Sequence, residues 1–141
     1  MILIDTSVLH YAVGSDYPLK DPCVRIIQRL APTGSVATTF EVVQEFMHVF
    51  SRRRPRELAV DLARSYAIAL QLLPVTSDDL QLGISLFEAI PGLGGFDCVL
   101  AAVALNRHVE ALVSADRGFG EVDGLPWLDP RSPDLARLVE R

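Results

Sequence analysis

Short apolar runs alternate with longer stretches of helical periodicity along this chain. The first run, Ile2-Leu3-Ile4, has no polar position and predicts a strand that is buried on both faces of a sheet. Similar runs predict four more short strands, at residues 36–38, 72–75, 111–114 and 125–128. Because Pro74 has no backbone N–H, the strand at 72–75 is expected at a sheet edge or a strand end.

The stretches between these runs place apolar residues three and four positions apart, which is the spacing of one helix face. Thr6 or Ser7 is expected to cap a short helix that ends at Gly14. Further helices are predicted at residues 22–30, 39–52, 55–70, 76–90 and 96–108, and one more after the last strand. Thr76 and Asp79 have the spacing of a capping box at the start of one of them.

Three of these helices have a predicted orientation. On a helical wheel, the helix that begins at Thr39 directs an apolar arc from Val49 to Met47 toward the core. The residues predicted to face the core in the next helix are Leu58, Leu62, Tyr66 and Leu70. The helix at 96–108 is apolar nearly all round and is predicted to be buried.

Alternating short strands and helices within 141 residues indicate one α/β domain that covers residues 1–141. Each connection between parallel strands needs a helix that covers a sheet face, so an α/β sandwich around a parallel sheet is expected. Ligands of such sheets bind outside the carboxyl ends of the strands, near the point where the strand order reverses. Asp5 and Asp116 each follow a predicted strand and are expected at this pole.

The composition excludes several classes of protein. Acidic residues outnumber basic ones by 18 to 13, and the net charge of −5 argues against a general nucleic-acid coat, although not against a local basic patch. Cys23 and Cys98 stand among apolar residues, so we expect buried free thiols and a reducing cytoplasm. Asp5 interrupts any signal peptide, and the longest uncharged apolar run, residues 98–105, is too short to span a bilayer.

Four carboxylates are candidates for chemistry, and each also has a structural explanation. Asp5 could cap a helix, Asp97 could interact with a helix dipole, and Asp116 could occupy an ordinary turn. Glu45 borders the apolar arc of its helix, so it is either a solvated residue with a buried stem or a carboxylate that leans into a cleft. Glu41 competes with it for the same role but points further toward solvent.

The combination of these acids is more informative than any one of them. Gathered at one pole of the sheet, four carboxylates would repel one another and would require a cation. Hard oxygen ligands without a Cys or His partner select Mg²⁺ or Mn²⁺, as one or two ions.

The chain has one basic cluster, which consists of Arg52, Arg53, Arg54 and Arg56. One interpretation is a solvated helix C-terminus that the helix dipole favours. The other is a rim that contacts phosphate groups.

These residues and their order resemble the PIN-domain ribonucleases, and in length and motif order the chain looks like a VapC-type toxin of a bacterial toxin–antitoxin pair. The resemblance covers essentially the whole chain. The matching segments are Ile2-Leu3-Ile4-Asp5-Thr6-Ser7-Val8-Leu9, Val43-Gln44-Glu45-Phe46, Phe96-Asp97-Cys98-Val99-Leu100-Ala101-Ala102 and Ser114-Ala115-Asp116-Arg117-Gly118-Phe119.

The resemblance implies a three-layer α/β/α sandwich with about five parallel strands. It assigns the acidic metal site of the family to Asp5, Glu45, Asp97 and Asp116. Ser114 stands where the family often has Thr, so Ser114 and Thr6 are candidate supporting residues. Frequent homodimers and a cognate VapB-type antitoxin, whose C-terminal segment enters the acidic groove, are also implied.

The resulting hypothesis is a Mg²⁺- or Mn²⁺-dependent endoribonuclease that acts as a toxin on RNA and has no membrane partner. A DNA nuclease of the same fold and a catalytically inert binding module of that fold remain alternatives. A phosphatase with an Asp nucleophile is disfavoured, because Ser7 stands where it needs a second Asp. A phosphate-accepting receiver is disfavoured too, because the only lysine, Lys20, comes too early in the chain.

Overall fold

A five-stranded parallel sheet forms the centre of the computed structural model, which describes all 141 residues. The strand order is β3-β2-β1-β4-β5, and every neighbouring pair is parallel. The strands are β1 (Ile2–Ile4), β2 (Val36–Thr39), β3 (Gln71–Leu73), β4 (Ala111–Val113) and β5 (Trp127–Leu128). The predicted α/β sandwich with about five short parallel strands is therefore confirmed, including the edge position of β3.

Seven α-helices connect and flank the strands. They are α1 (Thr6–Val13), α2 (Lys20–Arg25), α3 (Phe40–Phe50), α4 (Arg56–Ala69), α5 (Ser77–Ala89), α6 (Gly95–Asn106) and α7 (Pro133–Glu140). A π-helical turn (Ile26–Leu30) continues α2, and 3₁₀ turns follow at Ala31–Thr33 and Arg117–Glu121. The helix α2 begins two residues before the predicted start, which Pro22 permits because an N–H in the first turn needs no intrahelical partner.

The helices form a layer on each face of the sheet. Right-handed connections place α1 to α4 on one face and α5 and α6 on the other. The packing agrees, since α1 contacts α2 and α3, α3 contacts α4, and α5 packs mainly on α6. The strand order reverses between β1 and β4, so their carboxyl ends border the crevice where such sheets bind ligands.

One apolar core holds the layers together. All residues of β1 and β4 are buried, as the uninterrupted apolar run at Ile2–Ile4 predicts. Cys23 and Cys98 are buried free thiols, also as predicted. No helix combines the length and apolar character that crossing a bilayer would require.

The N-terminal cap of α1 is one of the residues that the sequence offered for this role. Asp5, rather than Thr6 or Ser7, is the cap residue, and its Oδ1 accepts a 2.7 Å hydrogen bond from the Thr6 backbone N–H. The helix begins immediately after β1, so the carboxylate that ends the strand is already in capping position.

Three predicted helix faces were partly wrong. The helix α4 buries Ala59, Ala63, Tyr66 and Leu70, whereas Leu58 and Leu62 are only half-buried. The buried stripe of α3 is narrower than the predicted arc, because α4 covers only part of it and leaves Met47 and Val49 exposed. The first turn of α6 lies at the open pole of the sheet, and Phe96 is 74% exposed there.

The helix α5 faces the core with Gly83 and the half-buried Leu86 rather than with all of its large apolar residues. Gly83 is buried against Val99 of α6, and a Cβ atom at this position would lie 2.7 Å from the Val99 Cγ2 atom. Leu80, Ile84 and Phe87 are consequently left on the surface. This apolar surface lies beside the carboxyl ends of the strands.

Candidate active site

Asp5 is the most firmly held of the candidate carboxylates. Its backbone N–H donates to the Val113 carbonyl oxygen at 3.1 Å, which fixes the end of β1 against β4. Its Oδ2 accepts a 2.6 Å hydrogen bond from the Ser114 hydroxyl and a 3.3 Å one from the Ser7 hydroxyl. The side chain is almost completely buried at the point where the strand order reverses.

Two serine hydroxyls join the ends of β1 and β4. The Ser7 Oγ accepts a 3.1 Å hydrogen bond from the Ala115 backbone N–H, and the Ser114 Oγ accepts a 3.0 Å one from the Asp116 N–H. Ser114 thus has the contacts expected of a supporting residue for Asp5 and Asp116. Sequence reasoning considered Ser7 only as a cap, although its hydroxyl lies in the first turn after a strand-end Asp.

Glu45 reaches the same pole from α3. Thr39 caps this helix, and its Oγ1 accepts a 3.2 Å hydrogen bond from the Val42 N–H. One helical turn after Val42, the Glu45 Oε2 accepts a 2.8 Å hydrogen bond from the Thr6 hydroxyl. Glu41 lines the same cavity but receives no such bond. The geometry therefore favours Glu45 over Glu41.

Asp97 lies in the first turn of α6 and has the most perturbed acidity of the group. Burial and the negative charges of Asp5, Asp116 and Glu45 raise its pKa to about 7. Burial also raises the pKa of Asp5, although hydrogen bonds from Ser114 and Thr6 oppose this effect. Asp97 is therefore close enough to repel each of the other three candidate acids, and Asp5 also repels Glu45.

Asp116, the fourth acid, comes from the segment that follows β4. It is exposed and caps the 3₁₀ turn at Arg117–Glu121, where its Oδ1 accepts a 2.8 Å hydrogen bond from the Gly118 N–H. A Cβ atom on Gly118 would lie only 3.1 Å from that oxygen, so glycine suits this position. The turn fixes Asp116 beside the end of β4.

The donor set suits a hard divalent cation, because all four side chains offer carboxylate oxygens at one pole. As these side chains stand, no three Asp, Glu, His or Cys residues form a group that could hold one ion together. Asp5 and Glu45 instead accept hydrogen bonds from Ser114 and Thr6. The acids fit a metal chemically, and holding one would require some of their side chains to rotate.

A cavity of about 510 Å³ opens from these acids. Asp5, Glu45 and Asp97 line one end, and the remaining lining is largely apolar. Its apolar residues include Val42, Val75, Leu80, Ile84, Phe87 and Phe96. The acidic site is thus continuous with the exposed apolar surface of α5.

The four arginines of the basic cluster do not share one position. All are exposed, but only Arg56 lines a cavity that Glu45 also lines. The guanidinium of Arg54 lies over the Phe50 ring, 5.8 Å from its centroid, and Arg52 contacts His48 at 3.2 Å. Of the four arginines predicted as a possible phosphate rim, Arg56 is therefore the one that lies at a cavity beside a candidate acid.

His10 is a neighbour of the site that the sequence did not single out. Its ring packs 4.8 Å from the Phe46 ring, and its Nε2 is enclosed without a hydrogen-bond partner. Burial lowers the pKa of His10, and the charges of Glu45 and Asp5 partly oppose this effect. No spacing in the sequence marks this histidine, because its neighbours come from a different helix.

Comparison with known proteins places the chain in a family. The PIN domain profile matches residues 2–125. Ribonuclease VapC7 of Mycobacterium tuberculosis is 39% identical over 142 residues, which cover 99% of this chain and 98% of the relative. Ribonuclease VapC23 of the same species is 29% identical over 120 residues, covering 82% of this chain and 93% of the relative.

Solved structures show the same fold at lower identity. The M. tuberculosis VapC20 structure, described as a Sarcin-Ricin loop cleaving toxin, has a TM-score of 0.72 at 18% identity and covers 85% of this chain and 93% of its own. The structure of VapBC2 from Rickettsia felis bound to a promoter DNA fragment gives a TM-score of 0.73 at 16% identity, with 92% and 98% covered. The chain therefore belongs to the PIN-domain family and, within it, to the VapC ribonucleases.

Proposed function

We propose that this protein is a metal-dependent endoribonuclease that acts as the toxin of a VapBC-type toxin–antitoxin pair. The observation that carries the proposal is the convergence of Asp5, Glu45, Asp97 and Asp116 at the strand-order reversal of a PIN fold. Relatives that span nearly the whole chain are named ribonucleases, which supports RNA as the substrate. The chain would act as one domain of residues 1–141.

Asp5, Glu45, Asp97 and Asp116 would hold one or two Mg²⁺ or Mn²⁺ ions. When bound, such ions supply water activation and stabilise the leaving oxygen in phosphodiester hydrolysis. Asp5 is our first choice for the central ligand, because strand β1 and three hydrogen bonds fix its position.

The hydroxyl residues would hold the carboxylates in position. Thr6 orients Glu45 through its 2.8 Å hydrogen bond, while Ser114 and Ser7 orient Asp5. The Ser114 Oγ also accepts a hydrogen bond from the Asp116 backbone N–H and so keeps Asp116 near Asp5. Such supporting contacts typically change metal affinity or activity about 10- to 100-fold when they are removed.

The apolar surface beside the site would receive a protein partner. Leu80, Ile84 and Phe87 are each at least half exposed and line the cavity that opens from the acids. Contiguous exposed apolar patches of this kind mark interaction surfaces. VapBC complexes are among the structural neighbours, so a VapB-type antitoxin is the proposed partner. A homodimer of this chain and a cytoplasmic location are also proposed.

The Asp5→Asn variant tests the proposed chemistry. The purified parent protein is expected to cleave mixed bacterial RNA in Mg²⁺ or Mn²⁺ and to lose this activity in a chelator. Asp5→Asn should lower the cleavage rate by at least about 100-fold, since it removes the central ligand. Asp123→Asn, an exposed change at another surface position, is the matched control.

The same assay separates the alternatives. Correctly folded Asp5→Asn protein that cleaves as fast as the parent would contradict the metal site. Cleavage of single-stranded DNA but not RNA would favour the DNA nuclease, and absence of Mn²⁺ binding by calorimetry would favour an inert module. Glu45→Gln should reduce cleavage more than Glu41→Gln, because only Glu45 is held by Thr6.

A further inference from the structure

A second cavity adjoins the acidic site on the side of α3 and α4. Its volume is about 660 Å³, which lies within the range of small-molecule and nucleotide pockets. It shares Glu41, Glu45 and Phe96 with the first cavity, so the two adjoin at the candidate metal ligand Glu45. A polymer that crosses the acidic site can therefore extend into this cavity.

Of the four arginines in the basic cluster, only Arg56 lines this second cavity. Arg56, in the first turn of α4, lines it directly, and so does His48, which Arg52 contacts at 3.2 Å. Arg54 lies instead over the Phe50 ring, and the side chain of Arg53 makes no hydrogen bond or ion pair. Arg56 thus supplies positive charge to this cavity, which the candidate metal ligand Glu45 also lines.

The aromatic ring of Phe96 stands between the two cavities. It precedes Asp97 in the first turn of α6, it lines both cavities, and 74% of its surface is exposed. An exposed aromatic ring and a cationic side chain that line one cavity are a combination that binds unpaired bases and their phosphates. No core contact explains why an aromatic residue occupies this position.

We propose that the second cavity binds the nucleotide next to the cleaved bond of a single-stranded RNA segment. Arg56 contacts its phosphate, and Phe96 stacks on its base. This inference rests on the proposed ribonuclease function and adds two nucleotide-binding residues to it. Stacking on a single aromatic face is tolerant of base identity, so unpaired structure rather than sequence is selected here.

Equilibrium binding tests this assignment apart from catalysis. The probe is a short, fluorescein-labelled, mixed-sequence single-stranded RNA, and fluorescence anisotropy with the Asp5→Asn protein in Mg²⁺ reports its affinity. Arg56→Gln is expected to weaken binding and to reduce the slope of log Kd against log salt by about 0.7, the value of one phosphate contact on a single strand. Phe96→Ala should weaken binding by at least about five-fold, while Phe96→Trp retains it.

Arg53→Gln is the matched control, because it removes the same charge from the same cluster without touching the cavity. Equal binding by Arg56→Gln, Phe96→Ala and Arg53→Gln would overturn the assignment. It would also be overturned if Phe96→Ala bound RNA normally and lost dimer or antitoxin binding instead, measured by size-exclusion chromatography. Thermal melts of each variant confirm that the comparison is made between folded proteins.

Two failures remain distinguishable. If the parent cleaves RNA but binding depends on neither Arg56 nor Phe96, only the cavity assignment is wrong. If binding depends on both residues but the parent cleaves no RNA, the proposed hydrolysis is wrong and the RNA-binding cavity stands.

Discussion

The Thr6 hydroxyl donates a 2.8 Å hydrogen bond to the Glu45 Oε2 and links the first turn of α1 to the middle of α3. The backbone N–H of the same residue donates to the Asp5 Oδ1 at 2.7 Å. Thr6 is buried, so water has little access to compete for either of these hydrogen bonds. One threonine thus orients two of the candidate metal ligands.

Removing this hydroxyl should impair the site without unfolding the protein. Thr6→Val keeps the shape of the side chain and the N–H that Asp5 uses, but it leaves Glu45 without its donor. We expect Mn²⁺ affinity, measured by calorimetry, and the RNA cleavage rate to fall about 10-fold. Thr6→Ser restores the hydroxyl and should rescue both. Parent-like values for Thr6→Val would show that Glu45 needs no support from Thr6.

Repulsion among the acids of the site should destabilise the metal-free protein at neutral pH. The folded-state pKa of Asp97 is raised from 3.8 to about 7, so its favourable contribution is complete below pH 4 and is lost as the pH rises through 7. Asp97→Asn should therefore raise the Tm in chelator at pH 8 by roughly 2–4 °C. That shift corresponds to about 1 kcal/mol in a chain of this size, because solvent screens a partly exposed carboxylate.

Two conditions control this experiment. The Tm difference between Asp97→Asn and the parent should shrink as the pH falls and vanish well below pH 3.8, at about pH 3, where Asp97 is protonated in both states. Saturating Mn²⁺ should stabilise the parent more than Asp97→Asn and so reverse the order. A pH-independent difference in chelator would mean that the effect does not come from the charge of Asp97.

The sequence was most informative where one local pattern decides the structure. Ile2–Ile4 has no polar residue and became a buried central strand, and the Thr76–Asp79 spacing became a capping box with hydrogen bonds in both directions. These features depend on contacts within a few residues or on complete burial. Periodicity and capping rules therefore identified them.

Helix faces and side-chain contacts were harder to predict, because they depend on neighbours from distant parts of the chain. Met47 and Phe96 are apolar, yet both are exposed, because no other layer covers α3 and α6 at those positions. The Ser7 hydroxyl meets the Ala115 N–H across 108 residues, and nothing near Ser7 announces that partner. The helical-wheel position of Glu45 left a solvated residue and a cleft residue both open, and it could not identify Thr6 as the hydrogen-bond donor.

The close approach of α5 and α6 should depend on Gly83. A Cβ atom there would lie 2.7 Å from the Val99 Cγ2 and 3.0 Å from its Cα, so Gly83→Ala must push the helices apart. We expect the free energy of unfolding in urea to fall by about 1–2 kcal/mol, since overpacking outweighs the better helix propensity of alanine. Adding Val99→Ala should recover part of this loss, which a double-mutant cycle measures.

Gly95→Ala is the control for that substitution. Gly95 is also helical, but a Cβ atom there meets nothing within 4 Å. This variant should keep or slightly increase the free energy of unfolding. An equal loss in both glycine variants would show that the contact with Val99 is not the cause.

The ion pair of Arg107 with Asp79 should be the main electrostatic support of the fold outside the active site. The Asp79 carboxylate is fully enclosed, and its Oδ1 accepts 2.8 Å hydrogen bonds from both Arg107 and Asn106. Arg107→Ala should lower the free energy of unfolding by about 2–4 kcal/mol at pH 7, because a buried charge loses its partner.

These bonds hold the pKa of Asp79 at about 2, so the stability they provide is present above pH 4 and is lost as the pH falls toward 2. The difference between Arg107→Ala and the parent, measured in urea, should shrink over that range. An undiminished difference at pH 2 would contradict this electrostatic origin.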